Sequence, residues 1–280
     1  MKVLITGAAG QLGTELQHCF ADSGDTVVAV ERDGLDVIDL QAVTKAVAAA
    51  QPDAVLHCAA FTKVDACETE TEAAWATNAV GSWNVARACA DVSAAMVYLS
   101  SDYVFDGALG RPYTEFDQVH PISMYGRTKE AGEQKVRATL KEHYVVRTSW
   151  VHGSQGGNFA KTMLRLGRER GAVSVVDDQT GSPTFTFDLA PQIRRLLQTQ
   201  RYGTYHVTNS GHCTWFEFAR ALFDHAGVKV DLTPTDTASF GAPAHRPAFS
   251  VLDNLLARHI GLPPLPPWRE SLDKLLADIA

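Results

Sequence analysis

Lys2-Val3-Leu4-Ile5-Thr6-Gly7-Ala8-Ala9-Gly10-Gln11-Leu12-Gly13 is the stretch on which the fold turns. The apolar run Lys2–Ile5 passes directly into three glycines at GxxGxxG spacing and then into a helical pattern, Leu12–Ala21, closed by Gly24. Glycines let the backbone turn tightly and come close to a pyrophosphate, whose charge the helix N-terminus receives on its free N–H groups. The spacing departs from GxGxxG, and a plain strand-to-helix turn would use the same residues. The strand before it and the helix behind it favour a dinucleotide site on Gly7, Gly10, Gln11, Leu12 and Gly13.

Outward from this loop, the next apolar run, Thr26–Val30, ends at Glu31-Arg32-Asp33. In NAD sites an acidic residue about 20 positions past the glycines accepts the adenosine ribose hydroxyls, and Glu31 fits that place. Arg32 beside it suits a 2′-phosphate, so NADH and NADPH both stay open as cofactors. Asp39-Leu40 would flank the adenine, with an ordinary helix N-cap as the other reading of Asp39. Ala59-Ala60-Phe61-Thr62, after the third strand, would line the pyrophosphate and the nicotinamide ribose.

Strands Ala54–Cys58, Ala95–Leu99 and Tyr144–Arg147 alternate with helical patterns at Leu40–Ala50, Asn78–Ala90 and Met124–Leu140. Near-continuous apolar strands separated by helices signal a parallel sheet covered on both faces, and right-handed crossovers make it doubly wound. The expected class is α/β: a Rossmann-type doubly wound parallel sheet with a smaller, irregular C-terminal lobe. Residues 1–150 form the dinucleotide-binding domain and 151–280 mainly the substrate-binding lobe, with segments around 173–210 returning to the sheet. Past Trp150 the pattern predicts helices at Phe159–Glu169, Leu189–Leu197, Phe216–Ala226 and Trp268–Ile279. It predicts strands at Val173–Val176 and Gly203–Val207, and loop across Leu232–Pro247.

With 280 residues, 45% hydrophobic and 20% charged, the chain has the balance of a folded globular protein. Acidic residues outnumber basic ones, 32 to 25, and the net charge of −7 argues against gripping nucleic acid or an anionic membrane. No apolar run nears the roughly 18 residues of a membrane span. Met1–Gly13 lacks the basic and apolar regions of a signal peptide, so the cytoplasm is the expected compartment. Five cysteines without CxxC spacing and ten histidines without HExxH give no metal site. A monomer and a homodimer are both compatible with this composition.

Tyr125-Gly126-Arg127-Thr128-Lys129 sets a tyrosine and a lysine one helical turn apart, on one face. A free phenol titrates at about 10, and a nearby lysine cation would bring it toward working pH. Read by spacing alone, the two could equally be an amphipathic surface pair. Ser100-Ser101-Asp102 closes the fourth strand, at the carboxyl edge where open α/β sheets take their ligands. A hydroxyl placed there can bond a substrate carbonyl oxygen.

The glycine loop, the serine after strand four and the YxxxK spacing together resemble the extended short-chain dehydrogenase/reductase family. The segments Ser100–Gly107, Pro121–Lys129, Arg147–Val151 and Asn158–Leu164 are similar to the dTDP-4-dehydrorhamnose reductases. So are Asp178–Thr184, Gly203–His206 and Arg246–Ser250, which carries the resemblance in register along nearly the whole chain. It implies reduction of the 4-keto group of dTDP-4-dehydro-6-deoxy-L-mannose to dTDP-L-rhamnose by NADPH or NADH. Tyr125 would be the proton donor, Lys129 a ligand of the nicotinamide ribose, and Ser101 the hydroxyl on the substrate carbonyl. Asp102 would contact the sugar, Trp150 would offer the deoxysugar a flat apolar surface, and Arg246 would meet the substrate's pyrophosphate. The family more often has threonine at Ser101; both supply the hydroxyl. The C-terminal segment departs more, so the metal-assisted dimerisation of some relatives does not carry over.

A sugar-nucleotide 4,6-dehydratase needs a second carboxylate after Asp102, where this chain has Tyr103. The alternatives are another nucleotide-sugar epimerase or reductase of the family, or a non-catalytic NADP-binding subunit resembling the regulatory subunit of methionine adenosyltransferase.

Overall fold

Val3, Leu4 and Ile5 are buried, whichever way they point from β1 (Lys2–Thr6), so this strand must lie inside a sheet covered above and below. The computed structural model describes residues 1–279 and places it so. β1 pairs in parallel with β2 (Thr26–Val30) on one side and β3 (Ala54–His57) on the other. β4 (Ala95–Ser101), β5 (His143–Thr148) and the strand Gly203–His206 continue in parallel beyond β3. The order is β2-β1-β3-β4-β5, then Gly203–His206 at the far edge. The chain leaves β1 toward one edge and crosses back to begin β3 on its other side. The carboxyl ends of β1 and β3 therefore flank the switch point, where doubly wound sheets bind ligands.

Apolar stripes explain the layers. Leu12, Leu16 and Phe20 of α1 (Gln11–Asp22) pack on one face with Leu189, Ile193 and Leu196 of the helix Thr186–Gln198. Val43 and Val47 of α2 (Leu40–Ala50) cover the other face, with Val85 and Cys89 of Ser82–Val92 and Val136 of Met124–Thr139. A separate core, with Phe185, Phe218, Leu222, Trp268 and Leu272, holds the smaller lobe together.

Three expectations change. Asp231–Thr235 is not loop but a strand parallel to Ala172–Val176, and Thr237–Phe240 is a short helix. The strand was masked by Pro234, which is tolerated because this two-stranded sheet has an open edge that does not need its missing N–H. Ala172–Val176 consequently pairs outside the central sheet, whereas Gly203–His206 joins it beside β5. The helix expected from Asn78 begins earlier, at Thr71, and passes through a π-helical segment, Ala76–Gly81, before Ser82–Val92. Among the described residues no helix is long and apolar enough to cross a membrane.

Candidate active site

Gly7 has φ +66°, a left-handed value that glycine adopts without strain, and an added Cβ would sit 2.6 Å from the Ala59 nitrogen. At Gly13 an added Cβ would lie 2.3 Å from the Gly7 oxygen. Gly10 N-caps α1 and brings no side chain to its first-turn N–H groups. A cradle that only backbone can line, ending on an uncapped helix N-terminus, fits a dinucleotide pyrophosphate. Leu12 packs into the core beneath it, and the Gln11 side chain turns toward the smaller lobe.

Ala60, Phe61 and Thr62 follow β3 across the switch point. Asn78 holds this strip: its Oδ1 accepts the Phe61 N–H (2.8 Å), and its Nδ2 donates to the Phe61 oxygen (3.1 Å) and to Thr128 Oγ1 (3.0 Å). The π-helical turn aims this fully buried amide between the strip after β3 and the helix Met124–Thr139. In the sequence, Asn78 stands out only as a polar amide at the start of an apolar helical pattern. Glu31 and Arg32, expected at the adenosine, are exposed. Asp39 is the N-cap of α2, its Oδ1 accepting from Gln41 N (2.9 Å) and Ala42 N (3.0 Å), and Leu40 is exposed beside it.

Ser123 caps the helix Met124–Thr139 by accepting the Gly126 N–H (3.1 Å), which fixes where Tyr125 and Lys129 project. Tyr103 meets the Tyr125 ring edge-on, with centroids 5.6 Å apart. Lys129 is buried with Nζ 4.3 Å from the centroid of the Tyr98 ring. Burial pulls its pKa down to about 7, against the opposing charge of Glu133. Tyr125 is pushed upward, by burial first and the Asp102 charge second, with the Ser101 hydroxyl acting the other way. The phenol thus moves opposite to the expected direction, because desolvating a phenolate dominates and the Asp102 charge adds to it.

Asp102 was expected on the sugar. Instead it is 2% exposed and enclosed by three serines. Ser101 Oγ donates to its Oδ1 (2.9 Å), while Ser149 Oγ (2.9 Å) and Ser250 Oγ (2.6 Å) donate to its Oδ2. Its pKa is raised by burial although all three hydroxyls pull it down. A hydroxyl has a single proton, so Ser101 must release Asp102 before it can donate to a carbonyl. One turn past Lys129, the buried Glu133 accepts from Ser100 Oγ (2.5 Å), Arg147 Nε (2.8 Å) and Nη2 (2.7 Å), and Arg137 Nη1 (2.8 Å).

Trp150 holds φ +46°, strained for a bulky residue, and its carbonyl is pinned by Thr184 N (3.0 Å) and His152 Nδ1 (2.6 Å). Its ring stacks on Trp215 with centroids 3.4 Å apart, and an added Cβ at Gly181 would come within 2.5 Å of its Cε2, so protein covers part of the flat surface expected for the sugar. Arg246 grips Asp65 with both ends of its guanidinium (3.0 and 2.9 Å), and a phosphate must compete with that carboxylate. Trp215 and Asp65 were missed in the sequence, and nothing local to them signals the contact. Among the described residues no group of three or more His, Cys, Asp or Glu could hold a metal ion.

A hydroxyl, a phenol and an amine gathered beside a dinucleotide cradle suit one chemistry, the reduction of a carbonyl or its reverse. They define a nicotinamide-dependent oxidoreductase of the short-chain dehydrogenase/reductase type. The chain belongs to the RmlD family, whose substrate binding domain model matches residues 1–280. It is 40% identical over 277 residues to the spore coat polysaccharide biosynthesis protein SpsK of Bacillus subtilis, covering 99% of this chain and 97% of that protein. The dTDP-4-dehydrorhamnose reductase of Mycolicibacterium smegmatis is 42% identical over 283 residues, 99% of this chain and 86% of that one. The crystal structure of the dTDP-4-dehydrorhamnose reductase of Bacillus anthracis in complex with NADP matches with a TM-score of 0.97 at 44% identity, over 99% of both chains.

Proposed function

We infer that this chain reduces the 4-keto group of dTDP-4-dehydro-6-deoxy-L-mannose to give dTDP-L-rhamnose, the last step of dTDP-L-rhamnose formation. The observation that carries this reading is Tyr125 held against Ser101 with Lys129 buried one helical turn on, in a chain matched end to end by dTDP-4-dehydrorhamnose reductases. Bound NADPH or NADH supplies the hydride to the sugar C4. Tyr125 gives its phenolic proton to O4 as negative charge develops there. Because burial holds its pKa up, the phenol is in its acid form at neutral pH, as the reducing direction requires. Lys129, in its charged form, offsets the phenolate left behind and bonds the nicotinamide ribose. Ser101 turns from Asp102 to the carbonyl oxygen, and Asp102 keeps hold of Ser149 and Ser250.

Gly7, Gly10, Gln11, Leu12 and Gly13 form the cofactor cradle, lined opposite by Ala60, Phe61 and Thr62. Glu31, Arg32, Asp39 and Leu40 surround the adenosine. The open part of Trp150 takes the deoxysugar, and Arg246 exchanges Asp65 for the substrate's pyrophosphate. Residues 1–150 serve the cofactor and 151–280 mainly the substrate. The chain works in the cytoplasm on a small molecule, as a monomer or a homodimer. The test is nicotinamide oxidation by the purified chain with dTDP-, UDP- and GDP-linked 4-keto-6-deoxysugars, NADPH and NADH being supplied separately. Turnover of the dTDP sugar above the others is expected; none with either cofactor would overturn the reading.

A further inference from the structure

Gln11 belongs to the cofactor loop by sequence, yet its side-chain oxygen is used elsewhere. Oε1 accepts two hydrogen bonds from the smaller lobe, from Gly153 N (2.9 Å) and from Asn158 Nδ2 (2.9 Å). Asn158 Nδ2 also donates to the Gly153 oxygen (2.8 Å), while its Oδ1 accepts Lys161 N (3.0 Å) and so caps the helix Phe159–Arg170. The N-termini of two helices, one under the cofactor cradle and one in the lobe, are therefore joined through a pair of amides 147 residues apart. The glycine-rich turn between them is packed onto the same side chain. An added Cβ at Gly156 would lie 3.1 Å from Gln11 Cγ, and one at Gly153 3.4 Å from Gln11 Cβ. Both helices are anchored, Leu12 and Leu16 in the core of the sheet and Ala160, Met163 and Leu164 in that of the lobe.

We propose that Gln11 and Asn158 are positioning residues that couple the cofactor cradle to the smaller lobe. Cofactor binding thereby fixes residues 153–158 and the start of the helix Phe159–Arg170 before the sugar nucleotide arrives. An anion received at the first turn of α1 holds the Gln11 backbone, and a held backbone narrows the arc swept by Oε1. That oxygen is the acceptor for Gly153 and Asn158, so the restraint passes to the lobe through contiguous hydrogen bonds. The proposal rests on the function given above for what the lobe binds, but the coupling itself needs only the cofactor.

Hydrogen exchange on the full chain with NADPH as the only ligand tests it. In the wild type, saturating NADPH should slow exchange of the amides in residues 153–162 by at least about fivefold. In Asn158→Ser, whose hydroxyl still caps the helix but lacks the amide donor, the slowing should fall below about twofold. Gln11→Leu, which leaves that cap intact, should lose it to the same degree and carries the test if the serine variant fails to fold. NADPH occupancy is checked in each protein by fluorescence titration. Equal slowing in wild type and variants, or none in the wild type, overturns the proposal. Failure to turn over dTDP-4-keto sugars would instead overturn the assigned reaction and leave this readout unmoved.

Discussion

Tyr125 keeps its proton and Lys129 is ready to lose one, and both displacements have the same origin: burial disfavours whichever form is charged. For a reductase this division is useful, since the phenol must arrive as an acid and the amine must be charged when phenolate forms. Tyr125→Phe should lower turnover by about 10²–10⁴-fold, the usual worth of a general acid. Fluorescence titration should find its NADPH affinity close to wild type; retained turnover would remove Tyr125 from the proton-donor role. The lysine sets the pH dependence. With its pKa lowered to about 7, Lys129 is cationic below that pH and neutral above it. The kcat/KM for reduction should therefore be level on the acid side of about pH 7 and decline on the alkaline side, because this ratio reports the free enzyme. A profile still climbing at alkaline pH would contradict this.

The helix Met124–Thr139 brings these effects together, since Lys129 and Glu133 lie one turn apart and Glu133 faces Ser100 and Arg147 on two neighbouring strands. Glu133→Gln should shift the alkaline limb to lower pH, because its negative charge is what holds the Lys129 pKa up. It should also cost about 3–5 kcal/mol in denaturant unfolding, because Arg147 is left buried beside a neutral amide. An unshifted limb would separate Glu133 from the lysine. Elements of this kind were readable to unequal degrees. β1, β3, β4 and β5 were legible because burial on both faces makes their central residues apolar, and the glycines and YxxxK because their spacing is local. Asp231–Thr235 was not, since a largely exposed two-stranded ladder leaves little apolar pattern and Pro234 looks like a break. Asn78, Trp215 and the Arg246–Asp65 pair were also hidden, for they matter only through partners distant in sequence. The spacing of Tyr125 and Lys129 showed that they share a face, but the sign of their pKa shifts depends on burial, which spacing does not report.

Across the whole molecule the lobes are threaded through one another rather than strung in series. After β5 the chain builds lobe, returns as Gly203–His206 to extend the sheet, leaves again, and comes back so that Leu252 bridges Tyr113. Asp25 binds both the Met1 ammonium (2.6 Å) and Arg194 (2.8 Å), tying the chain start to the helix Thr186–Gln198. Calorimetry should show a single unfolding transition, raised by about 2.7 kcal/mol of stability when NADPH is present at about 100 times its Kd. Two resolved transitions would mean that the lobes fold independently. The net charge of −7 does not oppose such binding, because the cradle receives a small anion on local N–H groups.

The serine enclosure of Asp102 gives this threading a consequence in time. As the chain emerges from the ribosome, β1 to β5, the cradle, Tyr125 and Lys129 are all synthesised before Ser250, whose hydroxyl comes 148 residues after the carboxylate it bonds. The growing chain therefore carries all of these residues while the enclosure of Asp102 still lacks a member, and the sheet itself still lacks Gly203–His206 until that strand emerges. A product of premature termination upstream of Ser250 would lack one of the three hydroxyls on Asp102 and also Ala257, Leu262 and Leu265 from the core of the sheet.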